Sequence, residues 1–409
     1  MAKKSTPPRV PASPRESAMQ DGQSGLLPKL RFPEFRGKSA WEERHGDVLF
    51  DQINERNADR SLPVLAITQE HGAIPRDMID YHVSVTEKSI ESYKVVRVGD
   101  FIISLRSFQG GIEYSQYNGI CSPAYVVLRR RNEGSNEYFK HYLKFDPFIR
   151  ILTRNLEGLR DGKMISYKQF SDLLIPTPTP DEQRKIASCL STLDELIGVQ
   201  GRKVAALRTH KKGLMQQLFP REGETQPRLR FPEFQDAGDW EEMNLADLAE
   251  SISSGKDNAA PDGLFDLYGS TGIIGKANSR SYSGTYLLVA RVGANAGFLT
   301  KATGDFGVTD NTLVIVLKAK LNIDFVFYYL HQINLNKMIF GSGQPLITGG
   351  QLKALKIKVP TDQTEQQRIA TCLSSLDELI TAETQKLEAL KTHKRGLMQQ
   401  LFPSPEDAS

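Results

Sequence analysis

Two stretches of the chain place apolar residues at alternating spacings of four and three. In the first, Ile186, Leu190, Leu193, Ile197, Val204, Leu207, Leu214 and Leu218 follow one another, and Gln200 and Lys211 fill the two missing places. In the second, Ile369, Leu373, Leu376, Ile380, Leu387, Leu390, Leu397 and Leu401 do the same, with Glu383 and Lys394 in the gaps. A sustained period of 3.5 residues predicts a helix that lays one apolar stripe against another helix, a coiled-coil seam. Each helix should run roughly 35 residues, or about 50 Å at 1.5 Å per residue. Pro180 stands just before the first helix, and Pro220 and Pro403 close the two. Helices of this kind have no core of their own, so the simplest partner for each is the other. An antiparallel pair gives an internal pseudo-two-fold axis. Gly198 and Gly201 weaken the middle of the first helix by about 1 kcal/mol each relative to Ala. Lys211 and Lys394 are too polar for full burial on the seam and are expected where the coil opens or meets another protein.

The two helices are copies. Glu182–Pro220 and Glu365–Pro403 align without gaps, and 26 of the 39 positions are identical. A second repeated stretch leads into each half, "LRFPEFRGKSAWEE" from Leu30 and "LRFPEFQDAGDWEE" from Leu229. The order is therefore lead-in, variable region, helix, then the same again. The variable regions, Trp41–Pro180 and Trp240–Pro360, correspond more faintly. "GDFIISLRSF" from Gly99 parallels "GTYLLVARVG" from Gly284, each a strand that emerges into an arginine, Arg106 or Arg291. "AYVVLRRR" and "NTLVIVLKAK" are a second strand pair, and "EYFKHYLKF" and "DFVFYYLHQ" a helical pair. "GLRDGKMISYKQFSDLLIPTP" and "GSGQPLITGGQLKALKIKVP" each predict a Gly-rich loop, a short helix and a strand ending at proline. The fold class that follows is α+β: two globular α+β domains separated by two long helices that form the antiparallel coiled coil. The boundaries expected are a disordered tail at 1–26, domains at 27–180 and 221–360, helices at 181–220 and 361–403, and a tail at 404–409. Like scaffolds with unlike inserts suit the reading of two different things at a fixed separation.

Composition adds bounds. At 409 residues, with 39% hydrophobic and 25% charged, the chain has room for two or three cores. No apolar run approaches the roughly 18 residues of a membrane span, and the Ser- and Pro-rich first 25 residues lack the apolar stretch of a signal peptide. Cys121, Cys189 and Cys372 form no CxxC pair, and reduced, buried thiols in a cytoplasmic protein are expected. The net charge of +3 says little, but its distribution says more. Trp41–Glu91 carries a net of −6 and Ser92–Phe170 a net of +6, an arrangement that can make a one-sided, phosphate-facing surface or simply solvated faces.

Residues for catalysis are not found. Asp146-Pro147-Phe148 lacks the second proline of an amino-methyltransferase signature and is expected at a helix-end turn. Gly293 and Gly297 imitate a cofactor loop, but lone glycines after a strand mark a turn. Asp161-Gly162-Lys163 imitates part of a nuclease metal site without a second carboxylate to complete it. His210 and His393 sit near helix ends among lysines and suit the negative end of a helix or an interface better than a metal.

The repeated "PTPDEQRKIASCLSTLDELI" from Pro178 and "VPTDQTEQQRIATCLSSLDELI" from Val359, the "LRFPEF" lead-ins and "GSGQPLITGGQLKALKIKVP" resemble the specificity subunit of type I restriction–modification systems. The resemblance covers nearly everything from Leu27 to Pro403, in both halves. It implies two target recognition domains that each read half of a bipartite, asymmetric site in double-stranded DNA. It also implies helices that dock two modification subunits, together with restriction subunits in the assembly. Catalysis would lie elsewhere: no cofactor in this chain, with S-adenosylmethionine, ATP and Mg on the partner subunits. Base contacts are expected from Arg, Asn and Gln on Gly-flanked loops. The first domain offers Arg106, Gln109, Arg160, Lys163 and Tyr167, and the second Lys256, Arg291, Asn295 and Gln344. Two other readings compete: a scaffold whose two domains bind protein, and a nuclease or methyltransferase acting alone. Activity of the purified chain without partners separates the last from the rest.

Overall fold

A computed structural model of the chain describes residues 26–56, 61–79, 90–131, 133–154, 165–338 and 345–403. It divides into two compact units, Met1–Ile197 with Ala389–Ser409, and Gly198–Glu388. Two helices of 39 residues carry the 3.5-residue pattern, a central helix Pro180–Leu218 and a C-terminal helix Gln363–Leu401. Pro180 proves to be the first helical residue rather than a flank, a position where its missing N–H and fixed φ suit the first turn. Gly198 and Gly201 do not interrupt the helix.

Each helix follows a short strand that pairs antiparallel with the lead-in, Leu174–Thr177 with Glu42–His45 and Lys356–Val359 with Glu241–Asn244. The repeated Glu-Gln explains itself at this junction. Glu182 accepts two 2.7 Å hydrogen bonds from the Arg31 guanidinium, and Glu365 accepts two of 2.8 Å from Arg230. Gln183 donates to Pro178 O (2.8 Å) and accepts from Ser135 N (3.0 Å); Gln366 donates to Pro360 O (3.1 Å) and accepts from Asn322 N (3.0 Å). Ser135 and Asn322 in turn cap the helices Asn136–Tyr142 and Ile323–Ile333. In each unit one dipeptide thus ties the lead-in, the capped helix and the end of the preceding strand to the long helix. The lead-in leucines complete the junction: Leu30 N donates to Gln400 O (2.9 Å) and Leu229 N to Gln217 O (3.0 Å).

The seam residues do two jobs. In the first unit Ile186, Leu190 and Leu401 are buried in the same core as Trp41, Phe101, Tyr138 and Phe170, with Leu397 packed against it. In the second unit Leu218, Ile369 and Leu373 join Trp240, Leu287 and Phe325, with Leu214 beside them. Leu193, Ile197, Leu207, Leu376, Ile380, Leu387 and Leu390 are half-buried, and Val204 is buried. The helix ends are therefore parts of domain cores as well as of the stripe.

The polar residues in the seam find partners. Gln200 Nε2 donates to Glu383 O (2.8 Å) and Oε2 (2.6 Å), Lys211 lies 2.5 Å from Asp377, and Lys394 lies 2.6 Å from Asp194. In the second unit the order of these contacts, Gln200 with Glu383 and Lys211 with Asp377, runs antiparallel. Neither lysine is fully buried, as expected, and each pairs with an aspartate of the other long helix.

Both domains share a three-stranded antiparallel sheet. In the first, strand Val126–Arg130 lies between Phe50–Ile53 and Phe101–Ile103; in the second, Thr312–Leu317 lies between Ala249–Ser254 and Tyr282–Ala290. Beyond these strands the two differ. The first adds the short strand Glu113–Tyr114 and two separate strand pairs, while the second extends to six strands through Leu299–Val308, Phe265–Gly269 and Gly272–Ala277.

Three expectations change. Cys121 is buried, but Cys189 and Cys372 are only half-buried, because they lie beside the stripe rather than on it. Asp146-Pro147-Phe148 opens the helix Asp146–Arg154 instead of ending one, and Phe148 is core. The opposed charges of the first domain close partly on each other: Arg97 pairs with Glu55 (3.1 Å) and Arg131 with Asp51 (2.5 Å), while Arg129 takes Asp100 (2.7 Å). Among the described residues no helix is long and apolar enough to cross a membrane, and no group of three or more His, Cys, Asp or Glu is placed to hold a metal.

Candidate nucleic-acid interface

The strand Phe101–Ile103 is wholly buried, and the chain leaves it through a tight turn. Ser104 N donates to Ser107 Oγ (2.9 Å) and Arg106 N to Ser104 Oγ (3.2 Å), which closes the turn on itself. The helical turn Ser107–Gly110 follows, and Gly111 ends it at φ 82°. A Cβ there would meet Leu143 O at 2.3 Å, so the turn requires glycine. Arg106 and Gln109 are held exposed at the start and third position of this turn, beside Leu105, which is 50% exposed.

A hairpin that the sequence did not single out lies against the same turn. Its strands are Leu65–Thr68 and Gly72–Pro75, and at its tip Gln69 Nε2 donates to Arg106 O (3.4 Å). Lys144 Nζ braces both, donating to Gln69 O (3.0 Å) and lying 2.5 Å from Glu113 Oε2. Burial pushes the Glu113 carboxyl up to about 7, against the pull of Lys144. Only the alternation around a polar tip, "LAITQEHGAIP", marked this hairpin in the sequence.

Tyr167 stands elsewhere in the unit. It opens the helix Tyr167–Ser171, which is fixed by a Ser166–Gln169 capping box, and its hydroxyl donates to Phe50 O (2.9 Å). Burial raises its pKa. Its polar end is thus engaged with backbone, while the ring is half-buried. Arg160, Lys163 and Gln344 lie outside the described residues.

In the second domain, strand Tyr282–Ala290 delivers Arg291 to the corresponding end of the shared sheet. Arg291 N donates to Asn311 O (2.8 Å) and Arg291 O accepts from Ile347 N (2.8 Å). Gly293 (φ 80°) and Gly297 (φ 85°) turn the loop that follows, so the glycines serve geometry. Asn295 is exposed at this loop, next to Phe298, which is 53% exposed. Lys256 is exposed just after strand Ala249–Ser254, whose Ser254 pairs with Leu313, while Ala290 pairs with Thr312. Lys256 and Arg291 therefore share one end of the sheet.

At this end Arg291 Nε and the hydroxyls of Thr309 and Thr312 are buried and have no hydrogen-bond partner among the described residues. Beside them Asp257 is fully engaged. Burial alone would raise its carboxyl, but hydrogen bonds from the Ser279 hydroxyl, Val308 N–H and the Ser281 hydroxyl outweigh it and hold the pKa below its ordinary value. The arrangement is chemically a set of guanidinium, ammonium and amide donors on rigid loops. It suits hydrogen-bond acceptors and negative charge.

Known proteins resemble this chain along most of its length. The family model described as type I restriction modification DNA specificity domain matches twice, at residues 49–208 and 237–392. Two specificity subunits of Methanocaldococcus jannaschii type I restriction enzymes are similar along most of their length. MjaVIII is 26% identical over 78% of this chain and 81% of its own, and MjaX, described as putative, is 25% identical over 88% and 92%. The EcoprrI specificity subunit of Escherichia coli is 33% identical over only 30% of either chain. Among solved structures, a type I restriction-modification S subunit from M. genitalium has a TM-score of 0.58 at 16% identity, covering 92% of this chain and 99% of that one, a likeness of fold. Two family matches that together span most of the sequence, one in each of two domains built on the same three strands, place this chain in the type I restriction modification DNA specificity domain family.

Proposed function

We propose that the chain is the DNA-reading, non-catalytic subunit of a type I restriction–modification assembly. Each globular domain reads one half of a bipartite, asymmetric site in double-stranded DNA. The repeated helices and junctions hold two modification subunits, and restriction subunits join the same assembly. S-adenosylmethionine, ATP and Mg belong to those partners and not to this chain.

The observation that carries the reading is the contrast within each domain. The Arg–Glu and Gln–carbonyl junctions recur residue for residue, whereas the loops at the end of the shared sheet differ, Arg106 and Gln109 in one and Lys256, Arg291 and Asn295 in the other. A machine that must meet the same partner twice and two different half-sites once each needs that division. Transplanting Trp41–Pro180 into a relative and sequencing the methylated sites of the host tests it. One half-site should change and the other stay. A change in both, or in neither, removes the modular reading.

A further inference from the structure

Between Glu195 and Pro220 the central helix holds five Lys or Arg residues and no carboxylate. Three of them, Arg208, Lys211 and Lys212, form one wall of an open groove of about 620 Å³ in the second unit. The other wall is the end of helix Ile323–Ile333 and the turn beyond it, with His331, Gln332 and Lys337. None of the described residues that line the groove is acidic. Lys211 is neutralised from behind by Asp377 at 2.5 Å and lies 4.9 Å over the Tyr328 ring. Arg208, Lys212 and Lys337 are exposed and make no ion pair among the described residues.

The helix itself does not account for these charges. Its negative end favours cations only within the last turn, and the helix continues to Leu218. Like charges four residues apart, as at Arg208 and Lys212, disfavour a helix. The second copy carries Lys391, Lys394 and Arg395 at the equivalent places, so arginine and lysine exchange while the charge stays. That pattern answers to a ligand that needs positive charge rather than one hydrogen-bond geometry. An acidic protein segment would also want apolar anchorage, as the middle of a protein interface provides. Among the described residues that line the groove, Met215, 6% exposed, is the one apolar side chain.

We infer that this groove seats backbone phosphates of duplex DNA and supplies sequence-independent affinity, apart from the loops that read bases. The inference rests on the DNA-reading function proposed above and adds a second contact surface to it. The test uses the full chain with its modification subunits and a triple substitution, Arg208→Gln, Lys212→Gln and Lys337→Gln. Glutamine is a good helix former, so the helix should persist. Binding is measured between about 50 and 200 mM salt, on duplexes carrying the methylated site and on shuffled duplexes of equal length.

Each phosphate contact contributes a slope of about 0.9 in log affinity against log salt. The triple variant should lose about two to three in slope and bind both duplexes roughly tenfold or more weakly at the low-salt end, with the preference for the site unchanged. Lys337→Gln alone, on an exposed turn, should lose about one in slope and serves if the triple variant misfolds. Unchanged slopes overturn the inference. So does loss of the modification subunits with an unchanged slope for the complexes that remain, which would assign the groove to an acidic protein surface. If the parent shows no preference for the site duplex, the reading function fails instead, and the groove is judged on slope alone.

Discussion

Glu182 and Glu365 are each 1% exposed, and each meets an arginine that is itself almost wholly covered. Removing one partner of such a pair leaves the other charge buried, which costs about 3–5 kcal/mol. Glu182→Ala should therefore lower the stability of the first unit by that amount in denaturant unfolding of the full chain. A loss below about 1 kcal/mol would mean that water reaches Arg31 and screens it. His141 offers a different test. Burial pushes its imidazole down to about 3, helped by Lys394 and Lys140, so the fold holds it neutral. Its contribution to stability is full above the unfolded value of about 6.5 and drains away as pH falls from there toward 3. The equivalent residue of the second unit is Tyr328, whose hydroxyl donates to Asp377 (2.7 Å) and does not titrate in that range. His141→Tyr should flatten the loss of stability between pH 7 and 4; an equally steep loss would place the acid lability elsewhere. At the reading loops, Arg106→Ala and Arg291→Ala should each weaken binding to the specific site by about 1–3 kcal/mol if the guanidinium forks onto a guanine. Equal weakening on every sequence would point to phosphate contact instead.

The helices show what a period can and cannot specify. A 3.5-residue stripe predicted each of them to within a few residues, because helical spacing is a local property of the chain. It did not reveal that Ile186, Leu190, Leu401 and their counterparts belong to domain cores. An apolar position looks the same whether it faces a helix or a sheet. The interruptions carry the register. Gln200 and Glu383 face each other, and Lys203 lies 2.5 Å from Glu383 as well, so a slip of one turn would separate these polar partners. Gly201 is a removable weakness, since an added Cβ meets nothing within 4 Å. Gly201→Ala should stabilise the chain by up to about 1 kcal/mol in thermal or denaturant unfolding. A destabilised variant would show that a bound partner or a close neighbour needs the bare backbone there.

For the whole molecule the repeat is a statement about partners. The Glu-Gln junction, the LRFPEF lead-in and the Asp–Lys pairs recur at equivalent positions in both units. Two like surfaces predict two like partners. Mass measurement of the assembled complex at saturating modification subunit should give two copies per chain. A stable complex holding one copy would mean that the two surfaces, though built alike, are not equally open.

The duplication, the two long helices and the elements of each domain were legible in the sequence, because they depend on spacings of a few residues and on direct repetition. The same was true of Arg106 and Arg291, which follow apolar strands and are presented to solvent or half-buried at the end of a shared sheet. Only the tertiary structure decided which charges remain available. Arg97 and Arg131 are paired because the strands bring Glu55 and Asp51 beside them. It likewise decided that Phe402 packs edge-on against Tyr138 at 5.6 Å, that Gln69 sits beside Arg106, and that Arg208 and Lys337 line one groove. These meetings join residues tens to hundreds of positions apart. No local spacing encodes them; they follow from how strands close into sheets and helix ends fill cores, where burial of the whole surface, not the preference of any segment, sets the partners.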